Sequence, residues 1–244
     1  MVPEKVAELT LDEVKYIPKK GRIVIAEHTK DPQILTELVK SRSPEVRAKA
    51  ATNKNIPSEI INKLAADESP VVRAGVAANP QTSPDVLRDL SKDLVPGVRA
   101  RVAANASTPA STLEVLVGDP EALVREALAR NKGISDTLLV DLAGDDVDSV
   151  RETVASNPNI NVITLRELAE DDRMGVRVHV VDNPNVTPEI LTSLVNDFKV
   201  QVRKGVASHP LTPLESLRIL ADDKDEVVSV AAKNNNTYVT APKW

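Results

Sequence analysis

A single step of 26 residues runs through most of this chain. Asn53, Asn79, Asn105, Asn131, Asn157 and Asn183 recur at that spacing, and His209 and Asn235 continue the series. Arginine keeps the same step at Arg47, Arg73, Arg99, Arg125, Arg151, Arg177 and Arg203. Two leucine-rich columns follow it, Leu35 to Leu217 and Leu38 to Leu220, as does an aspartate column from Asp67 to Asp223. Five columns in register with no insertion exclude coincidence and predict a repeat array, in which each unit is stable only against its neighbours.

The unit 53–78 shows what repeats. Ile60, Ile61, Leu64 and Ala65 are spaced as on one face of a helix, here helix A. A second helix, B, is expected from about Pro70 to Ala78, with Val72, Val76 and Ala77 on its buried side. Ser69-Pro70, Ser83-Pro84, Thr108-Pro109, Thr187-Pro188 and Thr212-Pro213 mark helix starts, with a hydroxyl as N-cap and proline in the first turn. That use accounts for many of the 17 prolines. Helices of about nine residues do not hold alone in water, so stacking must hold them. The expectation is an all-α solenoid of about eight two-helix repeats over residues 27–234. Residues 1–26 are expected to be an irregular N-terminal cap and 235–244 a polar tail ending in Trp244. The edge repeats depart from the pattern: Ser41 stands in the Asp column, and Ser229 in the Arg column.

Composition fits a thin core of small aliphatic side chains. Hydrophobic residues make up 41% but aromatics only 2%, and there is no cysteine. Disulfides, thiolate metal sites and iron–sulfur ligation are thereby excluded. The first residues lack a signal-peptide apolar run, and no stretch approaches the ~20 apolar residues of a membrane span. The expectation is a cytoplasmic protein with no membrane contact.

The arginine column invites a nucleic-acid reading, with guanidiniums tracking phosphates. Helical geometry favours another. Val72, Val76, Arg73 and Ala77 fall at roughly 0°, 40°, 100° and 140° around helix B, which puts Arg73 inside the buried arc. A buried guanidinium needs a carboxylate or carbonyls. Aspartate precedes arginine by six residues in Asp67/Arg73, Asp93/Arg99, Asp119/Arg125, Asp145/Arg151, Asp171/Arg177 and Asp197/Arg203. The preferred reading is an Asp–Arg ladder bonded within and between repeats. The Asn column, four times directly before proline, is read as side-chain amides bonding turn backbone.

These motifs resemble the leucine-rich repeat variant family of bacteria. The unit Asn-Pro-x-x-[Ser/Thr]-Pro-x-x-Leu-x-x-Leu, then Asp-x5-Arg-x-x-Val-Ala-x-Asn-Pro, carries the likeness, best in 79–105 and 183–209. The Asp-x5-Arg pair is also similar to the inter-helix turn of HEAT repeats. The resemblance implies a right-handed superhelix of short helices, some of them 3₁₀. One branch of the variant family carries an N-terminal iron–sulfur cluster on cysteines, and that activity does not carry over to a chain without cysteine.

Function is sought where columns vary. The outward columns of helix B hold Ala74, Gly75 and Ala78, then Arg101, Leu123, Arg130, His179 and Lys204, with Lys49 in the preceding repeat. Small side chains there fit crowding on an inner curve, and equally a groove floor that admits a partner segment. His28, His179 and His209 lie in different repeats, no phosphate-cradling loop appears, and no serine sits in a nucleophile elbow. The expectation is therefore a non-enzymatic scaffold without cofactor, binding a protein or peptide. The alternative is nucleic-acid binding, as in HEAT-like DNA-repair glycosylases. It has against it a net charge of −5 and the scarcity of aromatics on which bases stack. A third reading, an enzyme with an unobvious site, would need a cleft of grouped His, Asp or Glu.

Overall fold

The structure is a computed structural model that describes residues 9–240. Trp244, the end of the expected tail, lies outside the described residues, as do the first eight. Among the described residues there are 19 helices and no strand. All are α-helical, so the 3₁₀ helices that the resemblance allows do not occur among them. The protein is an all-α repeat solenoid in two compact units, Met1–Gly133 and Ile134–Trp244.

In the first unit the A helices are α1 (Leu11–Tyr16), α3 (Pro32–Leu38), α5 (Ser58–Leu64), α7 (Pro84–Leu90) and α9 (Ala110–Leu116). They alternate with the B helices α2 (Lys19–His28), α4 (Pro44–Thr52), α6 (Pro70–Ala78), α8 (Pro96–Ala104) and α10 (Ala122–Ala129). The second unit continues with α11 (Asp136–Ala143), α13 (Val162–Leu168), α15 (Pro188–Ser193) and α17 (Leu214–Ala221) as A helices. Its B helices are α12 (Asp148–Ser156), α14 (Met174–Asp182), α16 (Val200–Ser208) and α18 (Glu226–Asn234), and a short α19 (Asn236–Val239) packs on α17 and α18. Within each unit successive B helices pack closely, whereas successive A helices barely meet. The N-terminal segment, expected to be irregular, holds α1 and most of α2, and α2 packs on α4 as a B helix does.

The core consists of the repeating columns. Leu35, Leu87, Leu139, Leu165, Leu191 and Leu217 are fully buried, and so are Val46, Val72, Val98, Val124, Val150, Val176, Val202 and Val228 on the B helices. Each seven-residue A helix buries at least two apolar side chains in this core, as α5 does with Ile61 and Leu64. Ser83, Ser135, Asn161 and Thr187 cap A helices by accepting a backbone N–H. Thr108 and Thr212 do not. There proline is itself the N-cap, and the buried threonine hydroxyl donates back to Val102 O and Val206 O at 2.6 and 2.5 Å. Thr82 does the same to Val76 O at 2.6 Å. These threonines belong to a buried column that is otherwise Ile56, Ile134, Ile160 and Val186. Of the five starts read as hydroxyl caps in the sequence, Thr108 and Thr212 are therefore core positions, and Ser69 stands at the N-cap of α6 without a side-chain capping bond.

Within each unit the asparagine column closes B helices and ties them to the one before. Asn79 sits at φ −76°, ψ 125°, and no described residue has a positive φ. Its Oδ1 accepts the Gln81 N–H at 2.9 Å, which turns the chain out of the helix. Its Nδ2 donates to Ala51 O at 2.7 Å and Asn53 O at 3.2 Å in the preceding repeat. Asn105, Asn183 and Asn235 repeat the arrangement. Buried carbonyls at a helix end need such donors.

His209 breaks the series. Its Nδ1 accepts the Leu211 N–H at 3.2 Å, as the asparagine oxygen would, but the ring offers no N–H toward Val181 O and Asn183 O. At this seam α14 and α16 pack less closely than the B pairs on either side, and a cavity of about 190 Å³ opens between them. His209→Asn is expected to supply both missing bonds, each worth about 0.5–1.5 kcal/mol net. A thermal melt of the variant should rise by several degrees, and an unchanged or lower midpoint would contradict this account of the seam.

Candidate functional site

The Asp–Arg columns meet across repeats. Arg73 Nε and Nη2 donate to the two carboxylate oxygens of Asp93, one repeat later, at 2.6 and 3.1 Å. Its Nη1 turns back to Asp67 O, six residues earlier, at 2.8 Å. Arg47–Asp67 and Arg99–Asp119 follow the pattern in the first unit. Arg151–Asp171, Arg177–Asp197 and Arg203–Asp223 follow it in the second. Arg125 Nη1 donates to Asp119 O at 2.7 Å, and Asp145 Oδ1 accepts the Val147 N–H at 2.9 Å. Each aspartate thus starts its own B helix by accepting the N–H two residues on, as Asp67 does from Ser69 at 2.9 Å. In Asp67, Asp93, Asp119, Asp171, Asp197 and Asp223 the same carboxylate receives the arginine of the repeat before. A planar guanidinium suits this three-way junction because its donors are fixed in a fork.

Burial is deepest at Arg177–Asp197, whose side chains are 3% and 4% exposed. Phe198, itself largely exposed, covers the guanidinium with its ring centroid 4.4 Å from the central carbon. Burial opposes ionisation of Asp67, Asp93, Asp119 and Asp171, but the bonds from arginine and from the turn N–H outweigh it. These carboxyls are held below their ordinary range. The Arg203 hydrogen bond lowers Asp223 likewise. The same bonds raise the pKa of Arg47, Arg73, Arg99, Arg151, Arg177 and Arg203.

The variable B-helix face differs between the units. In the first, Lys49, Ala74, Gly75, Ala78 and Arg101 line one cavity of about 460 Å³, with Ala48 and Gly75 in its floor and Val71 at its edge. Gly75 is buried. A Cβ there would stand 2.8 Å from Ala48 O, so only glycine allows α6 this close to α4. Val71 is 56% exposed, an uncovered apolar side chain beside the floor. Lys49 is paired with Glu27 at 3.1 Å, and Glu45 with Lys19 at 2.8 Å. Arg101 is exposed and makes no hydrogen bond or ion pair. Leu123 on α10 and Arg130 at its C-cap lie away from the cavity, and Arg130 contacts Glu126 at 3.4 Å.

In the second unit the equivalent face is more polar. The His179 ring nitrogen Nδ1 is 2.8 Å from Gly175 O, and the Glu152 carboxylate lies against Gly175. Lys204 is exposed at the smaller cavity beside Asp182 and Gln201. Among the described residues no group of His, Cys, Asp and Glu is placed to hold a metal ion, and no helix is long and apolar enough to cross a membrane.

Short paired helices, in-register ladders and a groove along the B helices define a helical repeat protein of the solenoid class. Among solved structures the chain is similar to a leucine-rich repeat variant with a novel repetitive protein structural motif. The TM-score is 0.68 at 25% identity, over 91% of this chain and 88% of that one. An engineered protein aligns at TM-score 0.39 and 16% identity over 96% of this chain and 84% of its own. A designed armadillo repeat protein in complex with the peptide (KR)4 aligns at 0.24 and 16% over 95% and 96%. Neither of these two bears on function. No protein-family model and no curated protein matches the chain.

The lowered aspartates set the pH response. A carboxyl whose folded pKa lies below its unfolded value of about 3.9 adds stability that is complete above that value. That stability is lost as pH falls through the folded pKa. Urea titrations should therefore show the protein weakening steeply below about pH 4. Asp93→Asn should be less stable than wild type at pH 7 and should lose less on acidification. Equal losses in the two proteins would contradict the assignment.

Proposed function

We propose that the protein is a non-enzymatic scaffold that binds a protein or peptide segment along the B helices, with the repeats of residues 27–234 as its frame. The groove of the first unit carries this reading: small side chains form its floor, an uncovered Val71 its edge, and Lys49 and Arg101 its polar rim. A concave apolar floor with few polar groups is what an extended or helical segment needs. The nucleic-acid reading has less support. The ladder arginines Arg47, Arg73, Arg99, Arg151, Arg177 and Arg203 already spend their donors on aspartates and turn carbonyls, and a phosphate would have to break those bonds.

Affinity capture with wild type and with Ala78→Glu, which puts a charge on the exposed groove wall, tests the proposal. Proteins retained by wild type should be lost from the variant while its helical circular dichroism is unchanged. Identical sets from both baits would contradict it. Mobility shifts with DNA and RNA at low and moderate salt separate the alternative, which requires tight, salt-dependent binding.

A further inference from the structure

We infer that the groove of the first unit selects a polypeptide segment in which a carboxylate lies two or three residues from an aliphatic or aromatic anchor, the anchor seated over Gly75 and the carboxylate on Arg101. This rests on the peptide-binding reading above and adds the chemistry of the partner.

The anchor position follows from the floor. Gly75 and Ala48 remove side-chain bulk at the centre, Ala74 and Ala78 keep the walls low, and Val71 offers an apolar edge. The space of about 460 Å³ holds a large side chain with its neighbouring backbone.

The carboxylate follows from an imbalance of charge. Of the charged groups around the cavity, Glu45 is bonded to Lys19 and to the Ser43 hydroxyl, and Lys49 is bonded to Glu27. Arg101 alone among the cavity's charged residues has no partner, and it stands at the edge of an apolar floor where a bound segment would exclude water. An incoming carboxylate gains a fork-like, charge-assisted pair there, whereas an incoming lysine or arginine would be repelled.

The spacing follows from the stack. Arg101 belongs to α8, one repeat beyond the α6 glycine, and adjacent packed helices lie about 8–10 Å apart. At about 3.3 Å per residue, an extended segment covers that distance in two or three residues.

A linear dodecapeptide library displayed on phage, selected on the full chain and counter-selected on Ala78→Glu, tests this. Groove-dependent clones should carry Asp or Glu two or three residues from Leu, Ile, Val, Phe or Met. As synthetic peptides they should bind Arg101→Glu at least tenfold more weakly than wild type, and a Lys in place of their acidic residue should restore affinity for that variant. Groove-dependent peptides without an acidic residue, or indifferent to Arg101→Glu, would overturn the inference and leave the groove reading intact. Failure to find any peptide that distinguishes wild type from Ala78→Glu would overturn both.

Discussion

A guanidinium fixed between two successive turns is the contact on which this architecture depends. Every helix is too short to persist alone, and the aliphatic columns between repeats are nearly identical from one repeat to the next. Identical apolar surfaces bring neighbours together without selecting one alignment over a shifted one. The arginine does select. Its Nη1 reaches the carbonyl of its own turn while Nε and Nη2 reach the carboxylate of the next, so a sliding repeat would strand a buried charge. At the other end of each B helix the asparagine amide performs a similar task for neutral groups, satisfying carbonyls of the preceding repeat.

Much of this was legible in the sequence because periodicity is a property of sequence. The leucine and valine columns fixed which faces are buried, and the constant offset of Asp from Arg marked both as partners in structure rather than in solvent. What the spacing could not give was direction. Aspartate recurs six residues before and twenty residues after each arginine from Arg73 to Arg203, and both intervals repeat equally well. Only the stack shows that the nearer residue lends its carbonyl and the farther its carboxylate. The reach of the asparagine amide, 28 residues back for Asn79 to Ala51, was hidden for the same reason, since the signal in one repeat is only a turn before proline. Thr108 and Thr212 misled because a hydroxyl before proline suits a cap as well as a buried bond to a carbonyl. A difference at the same position in other repeats, Ile134 and Ile160, was the available hint that the site is apolar.

The division of labour along each B helix explains how one fold can carry a variable outer face without weakening itself. Positions facing neighbours are mostly aliphatic, with arginine and asparagine in columns of their own. Positions facing outward are free, and they diverge: small and apolar around Gly75 in the first unit, polar around His179 and Lys204 in the second. Gly75 belongs to both sets: its missing side chain permits the close approach of α4 and α6, and the residue also lines the groove. It was read from sequence as part of an outward column, and its burial could be known only once the helix separation was.

The central claim is that the bridge couples neighbouring repeats, and a double-mutant cycle on the most buried pair measures that coupling directly. Arg177→Gln, Asp197→Asn and the combined variant would be compared with wild type by urea unfolding at neutral pH. The account predicts that the double variant loses less than the sum of the single losses, by about 1–3 kcal/mol. Losses that simply add would show that the two side chains act independently, and the stack would have to owe its register to something else.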